Sequence, residues 1–129
     1  PPPGSAECIQ YSGCMYEGQF QDCNNTMPLS WVQSHNILSV FPDSKTLAYH
    51  NICLKDSKSG KSIVAVALDT CADSDCSGCC TQNQGNADEL IDVELNTDAR
   101  FLNVGLDGGQ SIQWADMGMA PASSYSGCN

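Results

Sequence analysis

The chain is poor in positive charge. Its 129 residues include 5 Lys and Arg against 15 Asp and Glu, which gives a formal net charge of −10 at pH 7. Binding to nucleic acid, or to an anionic membrane surface, needs a basic footprint that this composition does not supply. We therefore expect no nucleic-acid and no membrane partner. Neutral ligands, cationic partners and simple solubility all remain compatible with the charge.

Long apolar runs and common nucleophile motifs are also missing. No stretch of about twenty apolar residues occurs, so the sequence predicts no membrane-spanning helix. The Gly-x-Ser-x-Gly turn of serine hydrolases is absent, and the two histidines, His35 and His50, are too far apart and unaccompanied to indicate a catalytic triad. The length suits one domain with a modest core, and no internal repeat is visible.

Cysteine, in contrast, is abundant, with nine in the chain. Small exported domains use disulfides to supplement marginal cores, and the sequon Asn24-Asn25-Thr26 fits an exported surface loop. We therefore predict a secreted, extracellular protein. An odd count leaves one cysteine over, and the candidates are Cys128 in the tail, as a free thiol or one bonded elsewhere, and Cys8.

Four of the cysteines are crowded into the segment ALDTCADSDCSGCC, residues 67–80, with the spacing C-x4-C-x2-C-C. Zinc sites prefer two separated knuckles, and we expect the adjacent Cys79 and Cys80 to point in different directions. This pattern favours structural disulfides over a metal or redox centre, so we predict no metal and no cofactor. The bonds can close onto cysteines elsewhere, and the spacing leaves their pairing open. The predicted disulfide cysteines are Cys14, Cys23, Cys53, Cys71, Cys76, Cys79 and Cys80.

The apolar patterns predict about six short strands and little helix. The turn KDSKSGK joins the predicted strands 47–54 and 62–69 into a hairpin, and the near-continuous apolarity of the second strand indicates burial on both sides. Residues 90–96 alternate in the manner of a half-buried strand. A short helix is expected from Asp98 to Val104, whereas residues 27–42 show no clear period.

These elements fit an all-β, disulfide-rich, closed or nearly closed barrel better than a sandwich. We assign residues 8–119 to this domain. Residues 1–7 resemble a linker remnant, and residues 120–129 have the small-residue composition of a flexible tail.

Three stretches resemble the double-psi β-barrel group of expansin-like proteins, loosenins, barwin domains and family 45 endoglucanases. GQFQDCNNTM (18–27) is similar to the first strand of that group, Gly-x-Thr-Tyr/Phe-Tyr/Trp-Asp-Cys, although Gln21 replaces the aromatic residue. SIVAVALDTC (62–71) resembles its Val-x-Val-x-Val-x-Asp-x-Cys strand. IDVELNTDARF (91–101) followed by QSIQWADM resembles its Phe/Ile-Asp-Leu-Ser…Ala-Phe segment and final strand. The resemblance implies a six-stranded double-psi β-barrel over residues 14–117.

The resemblance also implies roles for four acidic residues. Family 45 enzymes invert the anomeric centre with two carboxylates roughly 6.5–9.5 Å apart. Asp22 matches the base, and the acid position falls on Asp92 or on Glu94, depending on the alignment. Asp69 matches a groove aspartate that the expansin branch keeps. In so acidic a chain, Asp92 and Glu94 are also compatible with ordinary solvent-facing charges, as are Asp88 and Glu89.

Aromatic side chains are the other requirement for binding sugars, because their flat faces stack on pyranose rings. Tyr16, Trp31 and Tyr49 are the candidates, whereas the strand pattern points Trp114 inward. These features predict a monomeric domain that binds cell-wall β-glucan in an open groove and loosens it with little or no hydrolysis. The alternatives are an inverting β-1,4-glucanase and a protein-binding effector or inhibitor on a barwin-like scaffold.

Overall fold

The computed structural model describes residues 18–105 and 109–129, apart from the side chain of Asp75. Five strands form one mixed sheet: β1 Ile37–Phe41, β2 His50–Lys55, β3 Ser62–Thr70, β4 Leu90–Val93 and β5 Gln113–Met119. Their order across the sheet is β4-β1-β3-β2-β5, with β1 parallel to β3 and the other neighbours antiparallel.

The helices are short and lie in the connections between strands. They are α1 Leu29–Ser34, α2 Ser44–Leu47, α3 Cys79–Gln84 and α4 Leu95–Ala99, with 3-10 turns at Asp73–Asp75 and Ala122–Tyr125. None of the helices in the described part of the chain is both long enough and apolar enough to cross a membrane. The predictions of a β-rich fold and of little helix are confirmed.

The predicted hairpin is present as β2 and β3, which pair from Lys55 with Ser62 to Asn51 with Val66. Asp56 organises its turn, since its carboxylate accepts hydrogen bonds from the backbone N–H and the hydroxyl of Ser59. Gly60 lies in the left-handed region with φ of 75°, a conformation that glycine adopts without strain.

The sequence pattern missed β1, the central strand, in the region without a clear period. Its residues Ile37 to Val40 are all buried, because β3 and β4 pair with its two edges and the core lies on both faces. A strand buried on both faces shows no polar–apolar alternation, so periodicity could not identify it.

Two apolar clusters sandwich the sheet. Val66 and Leu68 of β3 pack with Phe20 on one face, whereas Ala65 and Ala67 pack with Phe101 on the other. This arrangement confirms burial on both faces for residues 65–68, since successive side chains of a strand point to opposite faces, whereas Ser62 and Val64 at the start of the strand are exposed.

The sheet is not closed into a barrel. β4 and β5 are its edges, and no pairing between them is present in the described part of the chain. The stretch MYEGQFQDC predicts a first strand that ends at Asp22, but no strand is found in residues 18–22, and residues 15–17 lie outside the described ranges. Instead, residues 18–27 form a loop whose ends meet, because the backbone N–H of Met27 donates to the carbonyl of Gly18 at 2.9 Å. A Cβ at Gly18 would stand 1.8 Å from the Met27 carbonyl oxygen. The six-stranded double-psi barrel is therefore not confirmed.

The segment predicted as a flexible tail packs against the body of the protein. Cys128 is fully buried and bonded to Cys23, which lies 105 positions earlier, so the prediction that Cys128 is a free or externally bonded thiol is wrong. The backbone N–H of Asn24 donates to the Cys128 carbonyl at 2.7 Å. Composition suggested flexibility, but the disulfide and the burial of Ala120 hold the segment in place.

Cys53 was predicted to form a disulfide, yet it is a free, half-buried thiol on β2. It pairs with Val64 on one side and with Ala115 on the other, so no cysteine stands opposite it in the sheet. Cys14, another predicted disulfide cysteine, lies outside the described residues.

Candidate functional site

Two acidic residues and a serine form one row across the sheet. Ser39 of β1 pairs with Asp69 of β3 on one side and with Asp92 of β4 on the other. Paired positions on neighbouring strands present their side chains on the same face. Neighbouring strands lie about 4.8 Å apart, so the Cα atoms of Asp69 and Asp92 are separated by about 10 Å.

A register shift places Asp69 in this row. Leu38 pairs with Ala67 but Ser39 pairs with Asp69, so Leu68 is the extra residue of a bulge. Bulges re-aim the side chains that follow them and are common beside functional sites. The Asp69 carboxylate accepts a hydrogen bond of 3.0 Å from the backbone N–H of Gln21. Burial raises the pKa of Asp69 although this hydrogen bond opposes the rise.

Asp22 lies next to Asp69 and is held there by hydrogen bonds of its backbone. Its backbone N–H donates to the Leu68 carbonyl at 2.9 Å, and its carbonyl accepts from the Tyr49 hydroxyl at 2.7 Å. Burial, and secondly the negative charge of Asp69, raise the pKa of Asp22. The two carboxyl groups therefore interact, as expected for acidic residues gathered at one place.

A cleft of about 1370 Å³ runs past this row. Asp69, Ser39 and Asp92 all line it, whereas Asp22 does not, although its neighbours Gln19 and Phe20 do. Of the predicted catalytic pair, the cleft therefore holds the acid candidates but not the base candidate.

Glu94 lines the cleft but its carboxylate serves a structural purpose. It is the N-cap of α4 and accepts hydrogen bonds from the backbone N–H groups of Asn96 at 2.8 Å and Thr97 at 3.2 Å. It also accepts from the side-chain amide of Asn96. The predicted helix began at Asp98, whereas α4 begins at Leu95, so the helix begins earlier than expected. Both oxygens of the Glu94 carboxylate accept hydrogen bonds from residues at the start of α4, so this side chain holds the helix end in place.

Two of the three predicted sugar-stacking residues, Trp31 and Tyr49, lie outside the cleft. Trp31 stacks on His35 with ring centroids 3.9 Å apart and donates its indole N–H to the Ser126 carbonyl at 2.8 Å. Tyr49 contacts Tyr125 in a tilted arrangement with ring centroids 5.1 Å apart, and it packs against the core. Neither Trp31 nor Tyr49 lines the cleft. The third candidate, Tyr16, lies outside the described residues.

Trp114 is the tryptophan that lines the cleft. It is half-buried on β5, opposite Leu54, and one side of it packs against the apolar cluster that contains Phe101. The prediction that Trp114 faces inward agrees with this packing. The sequence pattern did not reveal that the same side chain also borders a cleft.

Glu89 was expected in solvent, yet it is only 7% exposed and lines the cleft. Its Oε2 accepts a long hydrogen bond of 3.5 Å from the Asp43 backbone N–H, and its Oε1 has no partner in the described part of the chain. Burial, and then the neighbouring Asp43 carboxyl, raise the pKa of Glu89 to about 7. The sequence contained a signal for this burial. Residues 89, 91 and 93 alternate along the chain, and Ile91 and Val93 face the core.

Another wall of the cleft is the segment 71–80, which two disulfides crosslink. Cys71 is bonded to Cys80 and Cys76 to Cys79, so the four cysteines pair with one another and not with distant ones. The prediction that they form disulfides is confirmed. Cys71, Cys76 and Cys79 line the cleft.

Comparison of the chain with protein-family models, with curated proteins and with solved structures gives no significant match.

Proposed function

We propose that the protein binds a neutral cell-wall polysaccharide, a β-glucan, in this cleft and loosens it with little or no hydrolysis. The observation that carries the proposal is one cleft that is lined by the Asp69–Ser39–Asp92 row and, on the opposite face of the sheet, by Trp114. An indole face offers apolar area to a pyranose ring, and carboxylates and hydroxyls accept and exchange hydrogen bonds with sugar hydroxyls.

The size of the cleft supports a ligand larger than a single sugar. Pockets for drug-sized ligands occupy about 300–1,000 Å³, and this cleft is larger. The ligand is expected to be uncharged, because acidic side chains in the cleft would repel an anionic polymer. The resemblance to expansin-like proteins supports the same ligand class, and the disulfides suit the proposed export from the cell.

The test is sedimentation of the protein with insoluble β-1,4-glucan, measured against Trp114→Ala and Trp31→Ala. Both substitutions remove an indole, but only Trp114 borders the cleft, so Trp114→Ala should lose binding while Trp31→Ala retains it in the folded fraction. Equal binding by all three proteins would refute the proposal. Circular dichroism before sedimentation establishes that each variant is folded.

Hydrolysis is the second candidate. Its support is the separation of Asp69 and Asp92, since about 10 Å between Cα atoms is compatible with the roughly 6.5–9.5 Å between the carboxyl groups of inverting enzymes. The raised pKa of Asp69 suits a proton donor. In this arrangement Asp69 is the acid and Asp92 is the base, which differs from the assignment that the resemblance implied. New reducing ends from soluble β-1,4-glucan, abolished by Asp69→Asn or Asp92→Asn, would establish it.

A further inference from the structure

The sulfur atoms of the four cysteines in residues 71–80 lie much closer together than the spacing of these cysteines along the sequence indicated. Those of Cys71, Cys79 and Cys80 are all within 4.8 Å of one another. The sulfur of Cys76 is bonded to that of Cys79 and lies within 4.8 Å of that of Cys80. The adjacent Cys79 and Cys80 therefore direct their sulfurs to the same place, contrary to the sequence-based expectation.

This arrangement approximates the ligand set of a structural zinc site. Zinc binds four thiolates tetrahedrally at about 2.3 Å, which places the sulfurs about 3.8 Å apart. Once the S–S bonds are open, the bonded sulfurs can separate towards that spacing, and the sulfur of Cys80 already lies within 4.8 Å of the other three. We infer that Cys71, Cys76, Cys79 and Cys80 form a zinc-binding site when both of their disulfides are reduced.

Hydrogen bonds that do not depend on the disulfides hold the segment in this shape. The Asp73 carbonyl accepts from the backbone N–H groups of Cys76 at 3.2 Å and Gly78 at 2.9 Å. The Asp73 carboxylate accepts from the backbone N–H of Thr81 at 2.9 Å and from its hydroxyl. These bonds tie the start of α3 to the 3-10 turn before it, so reduction leaves the four thiols near one another.

Burial also favours the site. Cys76 and Cys80 are buried, while Cys71 and Cys79 are half-buried beside the cleft. A metal ion can therefore enter from the cleft, whereas two of its ligands are shielded from competing water. Zinc bound by thiolates contributes directly to folding free energy, so the metal would replace the crosslinks that reduction removes.

The chemistry balances with an external dithiol as the reductant. Each disulfide takes up two electrons and two protons from one dithiol, which becomes a disulfide, and two protein thiols form. Zinc then displaces the thiol protons, so its binding strengthens as pH rises. The same four side chains would act as crosslinks in an oxidising compartment and as a zinc site in a reducing one.

The experiment uses the full chain, reduced under anaerobic conditions, loaded with Zn²⁺ and dialysed against a weak chelator. Wild type and Cys53→Ser should each retain a single zinc ion, whereas Cys79→Ser should retain none. Cys53 provides the matched control because its thiol lies on β2, away from this segment. Co²⁺ in place of zinc should give intense sulfur-to-metal charge-transfer bands in the proteins that bind and not in Cys79→Ser.

Three results would overturn the inference. The first is reduced wild type that retains no zinc. The second is equal retention by wild type and Cys79→Ser, because the metal would then sit on other thiols. Circular dichroism of the oxidised variants shows that each is folded before reduction, and a reduced wild type that stays unfolded with zinc present also counts against the site.

Discussion

Asp69 and Asp92 stand in one row of the sheet, on opposite sides of Ser39, although 23 positions separate them in the chain. The bulge at Leu68 and the antiparallel pairing of β4 with β1 bring them together. Neither residue is unusual in an acidic sequence, and their position along the cleft is what makes them candidates for ligand binding.

The first prediction concerns this row. Asp69→Asn and Asp92→Asn should each weaken β-glucan binding by about tenfold, because a hydrogen bond to a charged group contributes on the order of 1.5 kcal/mol. Depletion isotherms with insoluble glucan measure the affinity. Asp116→Asn is the control, since Asp116 is an exposed carboxylate that does not line the cleft. A similar loss in all three variants would point to a general charge effect and not to this row.

The second prediction concerns Glu89 and pH. The pKa of Glu89 rises from 4.5 to about 7 on folding, so the folded state binds the proton more tightly than the unfolded state. The stabilising contribution of Glu89 is therefore greatest below the pKa of the unfolded state, and it is lost as pH rises through the pKa of the folded state. The free energy of unfolding should fall by on the order of 3 kcal/mol over this range.

Glu89→Gln should remove most of that fall, since the amide keeps the shape of the protonated acid. Urea denaturation at a series of pH values measures the effect. Asp88→Asn changes the exposed neighbour of Glu89 and should leave most of the pH dependence of the free energy of unfolding unchanged. If the free energy of unfolding of Glu89→Gln depends on pH as strongly as that of wild type, another titrating group causes the fall in stability.

The third prediction concerns the bond between Cys23 and Cys128. Replacing both with serine should lower the free energy of unfolding by about 3 kcal/mol, because the bond closes a long loop and its sulfurs lie in the core. For a domain of this size the melting temperature should fall by about 15 °C. Cys53→Ser, at the free thiol, should change stability by only about 0.5 kcal/mol. Equal melting temperatures for the double variant and wild type would contradict the crosslink.

The fourth prediction separates the two roles considered for Glu94. Glu94→Ala should destabilise the protein by about 1 kcal/mol, the usual cost of losing a helix N-cap. Glu94→Gln should cost less, because its amide oxygen can still accept from Asn96 and Thr97. If the protein hydrolyses glucan, Glu94→Gln should retain activity while Asp92→Asn loses it. Loss of activity in folded Glu94→Gln would instead place Glu94 in the catalytic pair.

Sequence reasoning succeeded where the pattern was local. The hairpin of β2 and β3 follows from a turn segment between two apolar runs, and the burial of Val66 and Ala67 on opposite faces follows from continuous apolarity. Disulfides among closely spaced cysteines follow from the cysteine count. Each of these features depends on residues that are near one another in the chain.

The failures concern contacts between distant segments. β1 escaped detection because its role depends on β3 and β4, which pair with its two edges. Cys128 was assigned to a flexible tail because nothing near it in the sequence reveals its bond to Cys23. Trp31 and Tyr49 were aromatic and plausible as sugar platforms, but their partners His35 and Tyr125 hold them in packed positions outside the cleft.

The amino-acid sequence by itself determined a β-rich, acidic, crosslinked domain, because hydrophobic period, net charge and cysteine content are properties of composition and short-range order. Only the tertiary structure decided which carboxyl groups share a cleft, which of them is buried and which caps a helix. Those outcomes depend on strand register and on the packing of side chains from opposite ends of the chain, where a shift of one residue turns a side chain to the other face.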